Sequence, residues 1–321
     1  TFVQGQYNFT VTGKVKDEAA AYVQGAANTS LFQAATVNVS LSKVLRSPLV
    51  FKAIYTTGGK QGYMKDGYFE IANNSDEVQY LDGLILSAPA GKQKSKNAWQ
   101  ANGFEDLYAS GQGQVLAFPG SGHDYPLQPG QSVLIANDAA NHKDLAGDGN
   151  KCPDLSKADW EVYLKYANGE VDYPAKNLDV IFVNNKNMKA FGLGFFGRAY
   201  VLARLPQGVT TEAFAADRNN IKTEPNNAAA TMEYLLIPSK YVLDAVDIWD
   251  AKATVHYPTF LPKDDAEGVL ASKAWEGKCV RRKVSKVVNG RPYYQDTNNS
   301  ANDFLNNQEL TPGVTPTAAD K

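Results

Sequence analysis

Cysteine, histidine and any excess of charge are what this sequence has least of. Its two cysteines, Cys152 and Cys279, stand 127 positions apart, which excludes a local CxxC metal knuckle. They are either one long-range disulfide or two unrelated thiols. The three histidines, His123, His142 and His256, show no HxH or HxxxH spacing, the pattern that gathers imidazoles on a transition metal. Thirty-two basic residues against 34 acidic ones leave a net charge of -2, without the basic excess needed to neutralise phosphates, so no nucleic-acid partner is expected. No run approaches the roughly 18 apolar residues of a membrane-spanning helix. Gly-x-Ser-x-Gly, Walker and HExxH strings are missing as well, which removes three common catalytic layouts. The chain opens on Thr1 with no basic and apolar leader, as a mature or trimmed product does.

What is present is the material of β-structure. Hydrophobic residues make up 43% of the chain, enough to fill a core, and 17 tyrosines outnumber 14 phenylalanines. Asparagine recurs in turn-forming pairs such as Asn73-Asn74 and Asn298-Asn299. Apolar and polar residues alternate from Tyr7 to Val15, and a second strand is expected over 35–41. Further strands are expected at 49–55, 68–71, 178–183, 199–203, 234–237 and 242–249. The basic segment 277–290 reads as one edge-like strand ending in Asn289-Gly290. The expected fold class is all-β.

Three segments carry a resemblance. Glu70-Ile-Ala-Asn-Asn-Ser75 precedes Leu81-Asp-Gly-Leu-Ile-Leu86, and Leu127-Gln-Pro-Gly-Gln131 follows. This succession resembles the lamin-tail immunoglobulin-like β-sandwich. The strand Gly5-Gln-Tyr-Asn-Phe-Thr-Val11 resembles the closing strand of a transthyretin-like or carboxypeptidase-regulatory-like sandwich. With the terminal string Asp296-Thr-Asn-Asn-Ser-Ala-Asn-Asp-Phe304, the chain from about residue 5 to 305 resembles a Bacteroidetes-type family of surface lipoproteins of unknown function. The domains then expected are a partial N-terminal sandwich over 1–46, a decorated lamin-tail-like sandwich over 47–305 and an exposed tail over 306–321.

The resemblance implies a non-enzymatic component on the outer membrane of a Gram-negative bacterium, lipid-anchored upstream of the present chain. Its implied partner is a TonB-dependent β-barrel receptor engaged in nutrient uptake. The alternatives are a structural subunit of an outer-membrane assembly or secretion complex, and a metal-dependent hydrolase. Export into an oxidising compartment would join Cys152 to Cys279. The family assigns no catalytic residues and no cofactor.

The candidate sites are few. Asp138, Asp144, Asp148, Asn150 and Asp154 crowd oxygen ligands into seventeen residues, as a calcium loop does, but the order matches no EF-hand, and a solvated acidic loop is the competing reading. Asp159 with Glu161, and Asp244 with Asp247, could pair for acid–base work, although such residues are more often found on solvated strand faces. The glycine-rich Phe191-Gly-Leu-Gly-Phe-Phe-Gly197 reads as a turn packed by aromatics. Trp99, Trp160, Trp249 and Trp275 are the anchors for a ligand or partner, set against the commoner role of tryptophan in a sandwich core.

Overall fold

The computed structural model describes residues 3–16, 21–91, 94–147 and 151–320. Two large sheets face each other in an all-β sandwich. The first has seven strands in the order Lys176–Asn177, Trp160–Glu161, Ser132–Ala136, Tyr68–Asn73, Leu49–Tyr55, Lys278–Arg282 and Phe304–Glu309. The second has six, in the order Asp179–Val183, Gln114–Ala117, Leu84–Ser87, Ala199–Arg204, Val242–Trp249 and Val269–Leu270.

Side chains on a strand alternate faces, so a strand buried on one face alone should alternate apolar and polar residues. Here the central strands are buried along most of their length and apolar at most positions, because both faces are covered. Leu84 and Leu86 enter the core between the sheets with Leu49, Phe51, Phe69, Ile71, Tyr200 and Leu202. Ile85, Val201 and Ala203 point the other way, into a second core closed by Phe214, Leu235, Ile237 and Phe260. On the far side of the seven-stranded sheet Tyr55, Tyr68, Leu134 and Leu155 form a third cluster. A register shift between Phe51 and Ala53 changes the phase of the first strand and leaves Lys52 buried, where it pairs with Glu70.

The motifs that suggested the sandwich are joined in space. The strand Tyr68–Asn73 pairs antiparallel with Ser132–Ala136. Asn73 Nδ2 donates to the Leu127 carbonyl at 2.8 Å, and Gly130, in the left-handed region at φ +79°, donates its N–H to the Asn73 carbonyl at 2.9 Å. Asp82 accepts backbone N–H groups from Gly122, Asp124 and Tyr125 at 2.8–3.0 Å, fixing the loop between them.

Several expectations are corrected. Residues 21–31, where no strand was expected, form the strand Ala21–Leu31, paired over ten positions with Gly5–Lys14. The strand expected at 35–41 appears instead at Ser42–Leu45, completing a separate three-stranded sheet. The basic segment 277–290 is two strands, Lys278–Arg282 and Val284–Val288. The first is no edge, since it lies between Leu49–Tyr55 and Phe304–Glu309. The tail expected from residue 306 begins inside the strand Phe304–Glu309. Beyond that strand, Gly313 N–H donates to Glu70 at 3.2 Å and Asp320 takes both guanidinium nitrogens of Arg281 at 2.7 and 2.8 Å.

Candidate functional site: a glycine loop, an aromatic pair and a guanidinium

The loop 191–198 connects the core to the surface. Phe191 is buried, and Asn137 pins it by accepting its N–H at 3.0 Å and donating to its carbonyl at 3.2 Å. Gly192 has φ +65°, and the Tyr200 hydroxyl donates to its carbonyl at 2.5 Å. A Cβ on Gly194 would lie 2.7 Å from that hydroxyl, so the close approach requires glycine. The loop is a glycine turn held by aromatics, and it projects three side chains: Phe195, Phe196 and Arg198.

Phe195 stacks on Trp275 at 4.3 Å between ring centroids and 27° between planes, while Phe196 is 59% exposed. Trp275 itself has φ +63°, a left-handed conformation that disfavours a bulky residue. Its N–H donates to the Thr57 carbonyl at 3.0 Å, and its ring lies over Gly58, where a Cβ would come within 2.7 Å of it.

Arg198 turns into a cavity of about 440 Å³ lined also by Gln112, Met188, Leu193, Tyr234, Asp247 and Thr259. Its guanidinium reaches only carbonyls, at long range: Leu193 at 3.3 Å, Gln112 at 3.4 Å and Ala88 at 3.5 Å. Its Nε is buried without a partner, and among the described residues no carboxylate pairs with it. Burial pulls its pKa below the ordinary arginine value. Gly111 makes room for it, since a Cβ there would sit 2.6 Å from the guanidinium and 2.5 Å from the Ala88 carbonyl.

Arg282 has the opposite surroundings. It is among the largest fully buried side chains, and Asp244 accepts from it at 2.6 Å. Asp296 lies at 3.5 Å and Asp303 at 3.7 Å. The carbonyls of Phe51 and Gln295 accept at 2.7 and 3.0 Å, and the Phe304 ring stacks under the guanidinium at 4.5 Å. Because Asp244 belongs to one large sheet and Arg282 to the other, this cluster staples the sandwich. Burial raises the Asp244 carboxyl against the pull of Arg282, and raises Asp296 to about 7. The terminal string is therefore a structural hub. Asp303 accepts the Thr297 N–H and hydroxyl at 2.7 Å, Asn299 caps the turn Ser300–Asp303, and Asp265 takes the Ser300 N–H and hydroxyl at 2.7 Å.

The other sequence candidates find different places. Asp138 is buried and bound by Lys65 at 2.8 Å, Asp144 accepts from Asn141 at 2.7 Å, and Asp154 accepts the Ser156 N–H and hydroxyl at 3.0 and 2.7 Å. Asp148 and Asn150 lie outside the described residues. Among the described residues no group of three or more His, Cys, Asp or Glu is arranged to hold a metal ion, so Asp138, Asp144 and Asp154 are not gathered on a common calcium. The expected disulfide is corrected too: Cys152 and Cys279 are two buried thiols not joined to each other, each raised to about 12 by burial.

Three of the four tryptophans expected at a binding surface belong to the interior. Trp160 packs edge-on to Phe118 and Tyr125 in the central core, Trp99 to Phe104 and Tyr234, and Trp249 stacks on His256 at 4.8 Å. Only Trp275 keeps a partly open face. Glu161, Asp244 and Asp247 are buried, against the expectation of solvated strand faces, while Asp159 is exposed. Glu161 accepts the N–H groups of Ala139 and Tyr173 at 3.0 and 2.7 Å, and burial raises it to about 7. His142 lies between Tyr63 and the Asp138 carbonyl at 2.6 and 2.9 Å, and burial lowers its pKa. Arg198 was missed. Its one sequence signal is a cation placed directly between a glycine turn and the apolar strand that follows it.

Two facing sheets, covered on both sides, with the Arg198 guanidinium at a surface cavity, define an all-β sandwich protein. The chain belongs to the family described as "Protein of unknown function (DUF4876)", which residues 128–311 match. It is similar to a crystal structure of a DUF4876 family protein from Bacteroides thetaiotaomicron VPI-5482, solved at 2.50 Å resolution. That match has a TM-score of 0.70 and 27% identity, and covers 99% of this chain and 88% of that one. No curated protein matches.

Proposed function

We propose that this protein works by association and not by catalysis, as a lipid-anchored component of a Gram-negative cell surface. In this reading it partners a TonB-dependent outer-membrane β-barrel in nutrient uptake, on the lamin-tail-like scaffold the sequence suggests. The observation that carries the reading is the Trp275, Phe195 and Phe196 patch. A left-handed tryptophan costs about 1–3 kcal/mol of backbone strain, and a sandwich core does not need it there, because Trp275 is only partly covered. Rigid stacked aromatics beside an exposed phenylalanine are the usual material of an interface anchor. Kinship with a Bacteroides protein over nearly the whole chain fits the Gram-negative source that this reading needs.

The test is affinity purification of the tagged protein from outer membranes in mild detergent. A β-barrel receptor should co-purify, and Trp275→Ala should weaken that complex by about tenfold or more, as loss of an interface anchor does, with the melting temperature little changed. Turnover of glycan or peptide at enzyme-like rates, lost on replacing one carboxylate, would overturn the reading.

A further inference from the structure

A cation drawn even partly out of water without an anion is costly, and proteins ordinarily pair it, neutralise it or leave it to a ligand; Arg198 is half-buried. Arginine cannot take the second course in the protein interior, because its guanidinium keeps its proton. Arg198 has no carboxylate partner among the described residues, three long carbonyl contacts and a buried Nε with no acceptor. It lies at a cavity, with Gly111 leaving the space its guanidinium occupies. The third course remains.

We propose that the cavity at Arg198 is a binding site for a carboxylate group on a small, largely apolar molecule or at a chain terminus. The planar guanidinium matches a planar carboxylate in a two-bond fork. Carbonyl oxygens of Ala88, Gln112 and Leu193 already face the cation, and Asp247 lines the same cavity, so the site favours a ligand of single negative charge over a phosphate dianion. Met188, Leu193 and Tyr234 supply an apolar wall for the rest of the ligand, and about 440 Å³ is in the range of small-molecule sites. This site needs neither a membrane nor the transporter partner. Binding of carboxylates without recovery of a barrel would upset only the preceding reading, and the reverse result would upset only this one.

Calorimetric titration of the purified chain with acetate, hexanoate and inorganic phosphate at equal ionic strength tests the site. A trialanine peptide with a free or an amidated C-terminus separates the two sources of carboxylate. We expect saturable one-to-one binding of hexanoate, tighter than acetate, with phosphate weakest. Preference for the free-ended peptide over hexanoate assigns the site to chain termini, and the reverse preference assigns it to small acids. Arg198→Gln should weaken carboxylate binding at least tenfold, and Arg198→Lys less, since an ammonium keeps the charge and loses the fork. Should Arg198→Gln not fold, Gln112→Glu decides the matter: Gln112 is exposed at the mouth, and a negative charge there should weaken binding several-fold. No saturable binding of carboxylates to the folded protein, tighter binding of phosphate, or affinity unchanged in these variants would overturn the proposal and leave Arg198 as a tie between three loops.

Discussion

Arg282 and Arg198 are the same residue under two electrostatic regimes. Around Arg282 the fold brings three aspartates, two carbonyls and an aromatic face, so every side of the guanidinium is met. Around Arg198 it brings three distant carbonyls and a cavity. The difference separates structure from function within one sandwich. A closed cluster has its interactions satisfied and holds two sheets together, whereas an open one retains unspent interaction for something outside the chain. It also shows that buried charge is not in itself a sign of a site. Asp244, Asp247, Asp265, Asp296 and Asp303 are all buried, and each accepts hydrogen bonds from the framework.

The same substitution at both positions gives the sharpest test. Arg282→Met strands three aspartates beside an apolar side chain, and breaking a buried ion cluster in this way costs about 3–5 kcal/mol. Arg198→Met removes a half-buried cation whose desolvation is offset only by three long carbonyl contacts, so the expected change is within about 1 kcal/mol of zero, in either direction. Urea unfolding of the two variants measures both, and equal losses would dissolve the distinction.

A pH titration of stability reads the closed cluster from another side. Asp296 and Glu161 are both raised to about 7, chiefly by burial. The folded protein therefore keeps protons that the unfolded chain has already released above about pH 4. Stability contributed through these two groups is largest near the acid end of that window and is lost as pH rises toward 7. Asp296→Asn should flatten that decline by up to about 1.4 kcal/mol per pH unit, the limit for a single proton. A decline of unchanged slope would show that Asp296 is ionised throughout.

The smallest effect expected concerns the thiols. With both cysteines buried and raised to about 12, little thiolate forms at neutral pH, so alkylating reagent should leave the folded protein unmodified and add two labels after unfolding. Intact-mass measurement without reductant checks this, and a species two hydrogens lighter that resists labelling would reinstate the disulfide.

Much of the architecture was legible before any coordinates. The strands at 49–55, 199–203 and 242–249 lie where apolar runs and turns placed them, since both signals depend on residues a few positions apart. The turn at Asn73-Asn74 was legible for the same reason, whereas the bond from Asn73 to the Leu127 carbonyl, 54 positions away, was not. What misled was segment 277–290, whose basic residues suggested a solvent edge. Arg281 is tied to Asp320 and Arg282 is enclosed, and neither partnership can be read from the segment alone.

By itself, then, the sequence determined an all-β chain and many of its strands and turns, because period-two alternation and asparagine–glycine chemistry act locally. Only the tertiary structure decided which charges are answered. Asp244 reaches Arg282 across 38 positions of chain, and the nearest carbonyls to Arg198 include one 110 positions away. An electrostatic environment is a sum over neighbours in space, whereas strand propensity is a sum over neighbours in sequence. That is why the tryptophans proposed as anchors mostly vanished into the core while an unremarked arginine was left facing a cavity.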